Sequence, residues 1–241
     1  MLSFNDFKNI ANNNNLKDYE KVGFADSHRG QNEENVFFDI KNKLKIEGKN
    51  KKIMDIGCGC SKPVRMLIEF ARENDHTLYL VDSKEMLDNL PDESFIVKIP
   101  KEFPTDYDYS DFRGKIDYIV YYSVIHHVFY FSNMFNFIDQ SLLLLNNGGC
   151  LLIGDIPNYS KKKRFLSSDK GVEFHKLWSG QNKCPDIKWN EAYKTDIGLD
   201  DAAIISILLR YRAMGCETYL LEQDDGLPIN NTREDILIKK Y

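Results

Sequence analysis

Between Ile53 and Ile156 the chain repeats one arrangement: a short apolar run, a segment of helical period, then another apolar run. The runs at 52–57, 77–82, 94–99, 116–123 and 149–156 are rich in Ile, Val, Leu and Tyr. Strands covered on both faces read this way, because the crossover helices of a parallel sheet shield each side from water. Helical segments fall between them at 64–73, 84–89 and 131–145, and in the first Met66, Leu67 and Phe70 share one face. The alternation predicts an α/β protein built on a parallel sheet. Further on, 199–214 reads as an amphipathic helix. Residues 216–223 and 235–240 read as a final antiparallel pair across a turn-rich stretch. Two segments stand outside the rhythm. Residues 1–48 form an N-terminal helical arm ahead of the main domain, 49–241, and their asparagine run at 12–15 reads as a loop. Residues 157–198 are a polar insertion that holds both tryptophans and His175.

Composition narrows the class. The 241 residues are 42% hydrophobic and 29% charged, the balance of a globular chain. Lys and Arg number 32 against 37 Asp and Glu, a net charge of −5. That balance disfavours nucleic acid or an anionic membrane as partner. The first residues carry Asp6 and no apolar stretch, and no run is long enough to span a bilayer, so a cytoplasmic protein is expected. Five cysteines without an export signal read as free thiols. Cys58 and Cys60 lack the spacing and partners of a metal site, and no metal is expected.

Asp55-Ile56-Gly57-Cys58-Gly59-Cys60-Ser61 closes the first strand and opens a helix. Glycines there permit a tight turn and close approach of a ligand to the backbone, and the helix start offers free N–H groups. Asp82 ends the second strand, where a carboxylate can accept from both ribose hydroxyls or cap the next helix. A dinucleotide fold wants a third glycine, and that place holds Lys62, followed by Pro63. A dinucleotide oxidoreductase is therefore disfavoured.

This stretch resembles the first motif of the class I S-adenosylmethionine-dependent methyltransferases. The similarity continues through residues 81–87, 122–128 and 142–155, about a hundred residues in order. The resemblance implies a Rossmann-like, mostly parallel seven-stranded sheet with an antiparallel final hairpin and helices on both faces. It also implies one S-adenosylmethionine across the carboxyl ends of the first strands. Carried over by position, Asp55, Gly57, Cys58 and Gly59 line its methionine portion, Asp82 the ribose, and Ser83 and Met86 the ribose and adenine. Ser123 joins them, Phe103 is the candidate at adenine, and Arg29 of the arm is the candidate for the methionine carboxylate, with His28 facing the acceptor.

His126 and His127 fall just past the fourth strand, at the sheet edge where open α/β folds bind ligands. Histidine is the natural base near neutral pH. Some small-molecule O-methyltransferases that this stretch resembles pair such a histidine with an aspartate after the fifth strand, here Asp155. The pair His126–Asp155 is the leading expectation, with His127 and His175 as the other candidate bases. The basic run at 161–164 is a candidate clamp for an acceptor phosphate or carboxylate. A weaker resemblance, over 154–175, is to methyltransferases of bacterial surface-polysaccharide clusters. It points to carbohydrate biosynthesis: O-methylation of a sugar or a phosphorylated sugar precursor. N-methylation of a small amine and a non-catalytic cofactor-binding subunit are the alternatives, and a homodimer is possible.

Overall fold

The computed structural model describes residues 1–24, 32–187 and 198–241. The arm holds α1 (Phe4–Ala11), α2 (Asp18–Lys21) and α3 (Glu33–Leu44). Ser3 and Asp6 close a reciprocal capping box on α1, which fixes where that helix begins.

The body runs β1 (Lys52–Ile56), α4 (Lys62–Glu73), β2 (Thr77–Asp82), α5 (Lys84–Leu87), β3 (Ile96–Pro100) and β4 (Ile116–Tyr122). It continues with α6 (Ile125–Phe131), α7 (Met134–Leu144) and β5 (Leu145–Pro157). Then follow α8 (Tyr159–Leu166), α9 (Asp169–Ser179), α10 (Asp201–Ala213), β6 (Glu217–Glu222) and β7 (Arg233–Lys239). The strands form one sheet in the order β3-β2-β1-β4-β5-β7-β6. The first five are parallel, and β7 runs antiparallel to both β5 and β6. The expected mixed, Rossmann-like sheet with a reversed final hairpin is the observed fold.

Ile53, Met54, Ile119, Val120, Leu151, Leu152 and Ile153 are essentially unexposed, so the central strands are covered on both faces. One difference from the sequence reading matters for the site. The crossover helix expected at 131–145 is α7, which Asn133 starts by accepting the Asn136 N–H at 3.0 Å, and an unexpected short helix, α6, precedes it. α6 carries both histidines. The insertion at 157–198 includes α8 and α9.

Candidate functional site

The carboxyl edge of the sheet opens into a cleft between β1, β2 and β4 on one side and the arm on the other. It encloses about 1340 Å³, open mouth included. Gly57 (φ +72°) and Gly59 (φ +62°) form its floor in the left-handed region that side chains avoid. The space is also taken: a Cβ on Gly57 would stand 2.6 Å from Val124, and one on Gly59 2.5 Å from Val22 of the arm.

Asp82 reaches across this loop. Its carboxylate accepts the Gly59 N–H at 2.9 Å and the Ser83 N–H at 2.7 Å. Ser83 is the cap of α5, accepting the Met86 N–H at 3.2 Å, so Asp82 does not serve as the cap. A carboxylate offers about four lone-pair sites, which leaves Asp82 room for two more donors. Asp55 sits beside it, and both are buried. Burial raises Asp82 to about 6, against the pull of its two backbone hydrogen bonds. Burial and the neighbouring Asp82 charge raise Asp55 to about 8. Among the described residues no lysine or arginine pairs with either carboxylate. Cys58 lines the cleft with them, its thiol pushed well up by burial and the two aspartates, which keeps it protonated. Met86, Phe103, Ser123 and His127 complete the wall, with Lys101 and Glu102 at the end of β3.

The β4–β5 side is built differently. Ser123 (φ +61°) and Asp155 (φ +55°) follow or end neighbouring strands in left-handed conformations unusual for their residue types. The Ser123 hydroxyl donates to Asp155 Oδ2 in a short hydrogen bond. The Asp155 N–H donates to the unexposed Asp235 at 2.7 Å, and Asp235 is held by Lys43 and by Gln223 Nε2 at 3.1 Å. Asp155 therefore does not orient His126. Its carboxylate takes Ser123, and His126 Nδ1 is buried without a partner.

His126 does not line the cleft; His127 does. The rings lie 4.2 Å apart. His127 Nδ1 is 2.9 Å from the Leu2 carbonyl, and the Phe7 ring meets it edge-on at 5.0 Å. A carbonyl only accepts, so Nδ1 carries the proton and Nε2 keeps its lone pair. Burial lowers both histidines. The other histidine and Arg233 lower His126 further, and the N-terminus and Arg233 lower His127. Both are neutral near pH 7.

Two other expectations fall away from the cleft. His175 is on α9 and is not part of the cleft wall. The basic run is engaged in structural contacts: Lys161 Nζ donates to the Arg233 carbonyl at 2.7 Å, and Arg164 pairs with Asp201. His28 and Arg29 lie outside the described residues. Sequence reasoning missed Gln223, Arg233 and Lys43; the available signal was Asp235, a charge inside the apolar run of β7.

No family model matches the chain, and no curated protein matches its sequence. Solved structures do match its fold. The plantazolicin methyltransferase BpumL, in complex with a substrate analogue and SAH, aligns with a TM-score of 0.56 at 13% identity over 99% of this chain and 98% of that one. The chain has the class I methyltransferase fold. A protein of Methanococcus maripaludis, provisionally described as an S-adenosyl-L-methionine-dependent methyltransferase, aligns at TM-score 0.54 and 17% identity, covering 99% and 93% of the two chains. A Haemonchus contortus phosphoethanolamine N-methyltransferase, bound to phosphomonomethylethanolamine and S-adenosylhomocysteine, aligns at TM-score 0.56 and 15% identity, covering 99% of this chain and 59% of that one. Within this class I methyltransferase fold, the glycine loop, Asp82 and the carboxyl end of β4 lie along one cleft.

Proposed function

We propose that the protein is an S-adenosylmethionine-dependent methyltransferase acting on a small molecule. The observation that carries this reading is the pair of buried carboxylates, Asp55 and Asp82, beside a glycine turn on the cleft floor and, among the described residues, without a cation bonded to either. Such a site favours a ligand that brings positive charge and hydroxyl donors together, as a sulfonium nucleoside does. When bound, that cofactor supplies an electrophilic methyl group. Asp82 would accept the ribose hydroxyls, Ser83, Met86 and Phe103 would flank the base, and Asp55, Gly57, Cys58, Gly59 and Ser123 would hold the remainder of the cofactor.

Transfer to a hydroxyl requires the acceptor oxygen to lose its proton as the new O–C bond forms and the S–C bond breaks. His127 is the group we assign to take it, at Nε2, since it lines the cleft, is neutral and has its other nitrogen committed to Leu2. His126, which does not line the cleft, is then not the base. The arm contributes Phe4, Phe7 and Val22 to the cleft wall, so in this reading residues 1–48 are the lid. The acceptor class we favour is a sugar or a phosphorylated sugar precursor, methylated on oxygen. BpumL and the H. contortus enzyme, with an azole analogue and a phosphoamine in their complexes, keep other small acceptors within reach of this fold.

Thermal shift with S-adenosylhomocysteine, S-adenosylmethionine and NAD tests the reading directly. Stabilisation by the first two and none by NAD is expected. Stabilisation by NAD alone, or by none of the three, rejects it. Hydrogen exchange of 1–24 and 32–44 should slow on addition of S-adenosylhomocysteine if the arm is the lid.

A further inference from the structure

The helices that cover the sheet differ in what they turn to solvent. The exposed positions of α4 are Lys62, Glu69, Arg72 and Glu73, the charged face of a surface helix. On α10, Ile204, Ile207 and Tyr211 face the core, yet the opposite side is apolar as well. Ala202, Ile205, Ser206, Leu209 and Ala213 run down it at helical spacing, all exposed. Ile205 is 49% exposed and Leu209 60%. The polar groups nearby are turned aside. Ser206 gives its hydroxyl proton to the Ala203 carbonyl at 2.6 Å, Arg210 reaches Asp139 of α7 at 2.8 Å, and Arg212 reaches Thr218 of β6 at 2.9 Å. Thr218 lies unexposed under α10, bonded to the Leu208 carbonyl. Leu220, on the same face of β6, is 44% exposed and widens the patch. β6 is the last strand of the sheet, so the patch lies at its rim.

The charges along α10 say what fits this stripe. The helix begins with Asp200 and Asp201 and ends with Arg210 and Arg212. Asp201 and Arg212 stand on one flank of the stripe, about three turns apart. The Asp201 side chain is 41% exposed beyond its contacts with Arg164 and Asn158. Arg212 commits Nε and Nη2 to Thr218, which leaves Nη1 without a hydrogen bond among the described residues. A second copy of α10 laid antiparallel on the stripe brings Asp201 of each copy to Arg212 of the other. A parallel copy would set like charge on like. The antiparallel register also matches itself in size: Ala202 falls opposite Ala213, and Ser206 opposite Leu209. Small residues at both ends let the axes close in, and at the centre a small side chain receives a large one.

We infer that this chain pairs with a second copy of itself through α10, the two helices packed antiparallel about a two-fold axis with Leu220 of each copy at the rim. A two-fold contact requires a surface that complements itself, and this stripe does so in both charge and size. Its area is that of one helix face, so the pairing is of the weak, transient kind. No residue of the stripe lines the cleft, and the inference stands apart from the methyl-transfer reading.

Sedimentation equilibrium of the full-length protein, from about 1 to about 100 μM, should show a monomer–dimer equilibrium. Leu209→Glu sets a charge in the middle of the contact and should raise the dimer dissociation constant about tenfold or more; Ile205→Glu repeats the test one turn earlier. Leu177→Glu, at an exposed residue of α9 outside the patch, should leave the constant unchanged. Thermal midpoints of the three variants should match the wild type, since each replaced side chain already meets solvent. Register is read with a short bis-maleimide in chains that carry Cys184→Ser, which removes an exposed thiol. Ala202→Cys mixed with Ala213→Cys should give the joined dimer, and neither variant should give it alone. A monomer across the whole range overturns the inference and leaves the stripe to a different partner. A dimer that survives Leu209→Glu and Ile205→Glu overturns it too, as does one that Leu177→Glu dissociates equally. Joining of either cysteine variant to itself, and not to the other, overturns the antiparallel pairing.

Discussion

The two sides of the cleft hold their polar groups by opposite means. On the β1–β2 side the key groups are acids raised by burial, Asp55 to about 8 and Asp82 to about 6. They come from one continuous stretch of chain, and backbone N–H groups hold Asp82. On the β4–β5–β7 side the key groups are bases lowered by burial, His126 and His127, beside Arg233, which faces Asp155 at 3.7 Å. Their supports arrive from across the sequence: Leu2, Lys43, Gln223 and Asp235. The first side is pre-set for a ligand with positive charge and hydroxyl donors. The second is pre-set to take a proton. A fixed cofactor and a variable acceptor would ask for such a division, since a site made of one local turn is harder to alter than one assembled from separate strand ends and an arm.

Substitutions should separate the sides cleanly. The largest effect is expected at His127→Ala, a loss of turnover of about 10²–10⁴-fold, the range for removing a general base. Affinity for S-adenosylhomocysteine should stay within a few-fold, because the imidazole acts on the acceptor. Full turnover in that variant, beside an inactive His126→Ala, would hand the role back to His126. Asp82→Ala should do the reverse. It removes a charged hydrogen-bond partner worth roughly 1.5–3 kcal/mol of cofactor binding, about ten- to a hundredfold in Kd by calorimetry. Wild-type affinity there removes Asp82 from the ribose assignment. A smaller loss is expected on deleting residues 1–3, which frees His127 Nδ1 from the Leu2 carbonyl. Histidine nitrogen resonances should then show both tautomers, where the intact chain shows one.

The contrast also explains what the sequence could tell. The glycine loop and Asp82 were legible because a turn with positive φ and a strand-end acid leave a local mark within about thirty residues of each other. The count of seven strands followed from the resemblance, the final antiparallel pair was also legible in residues 216–223 and 235–240, and the alternation itself required only a parallel sheet. The contacts around the histidines were not legible, since nothing local says that Asp155 turns to Ser123 and that a carbonyl from residue 2 reaches His127. Arg233 left no mark at all. Its neighbours are set by the register of β7 on β5, a tertiary fact that spacing does not encode. The short helix α6 went unread because its seven residues follow a buried strand and are themselves almost all apolar or aromatic, so no helical period marks it.

The smallest effect predicted is also the one that sets the two sides against each other, through pH. For a carboxyl raised in the fold, the native state holds its proton when the unfolded chain has released it. Stability from Asp82 and Asp55 is therefore full below their ordinary value of 3.8 and is lost as pH rises, through about 6 and then about 8. Asp39, raised to about 7 by burial and the Asp235 charge, has the same sign. For the histidines the sign reverses. Both are lowered, so the unfolded chain binds protons first, and stability is lost as pH falls below the ordinary value of 6.5. Above pH 6.5 the aspartates act alone and give an alkaline limb along which the ligand-free protein weakens; below 6.5 the two histidines oppose the three aspartates and give a shallower acid limb. Urea midpoints measured from pH 5 to 9 should show each limb. Asp55→Asn should flatten the alkaline limb by an amount on the order of 1.4 kcal/mol, the worth of one pKa unit. Replacing both histidines with Gln should instead steepen the acid limb and leave the alkaline limb in place. S-adenosylhomocysteine lacks the sulfonium charge, so the preference for S-adenosylmethionine over it should grow with pH as Asp55 ionises. A preference that stays flat across that range in the wild-type protein would mean that the cofactor charge is met by some group other than Asp55, and that side of the cleft would need a different account.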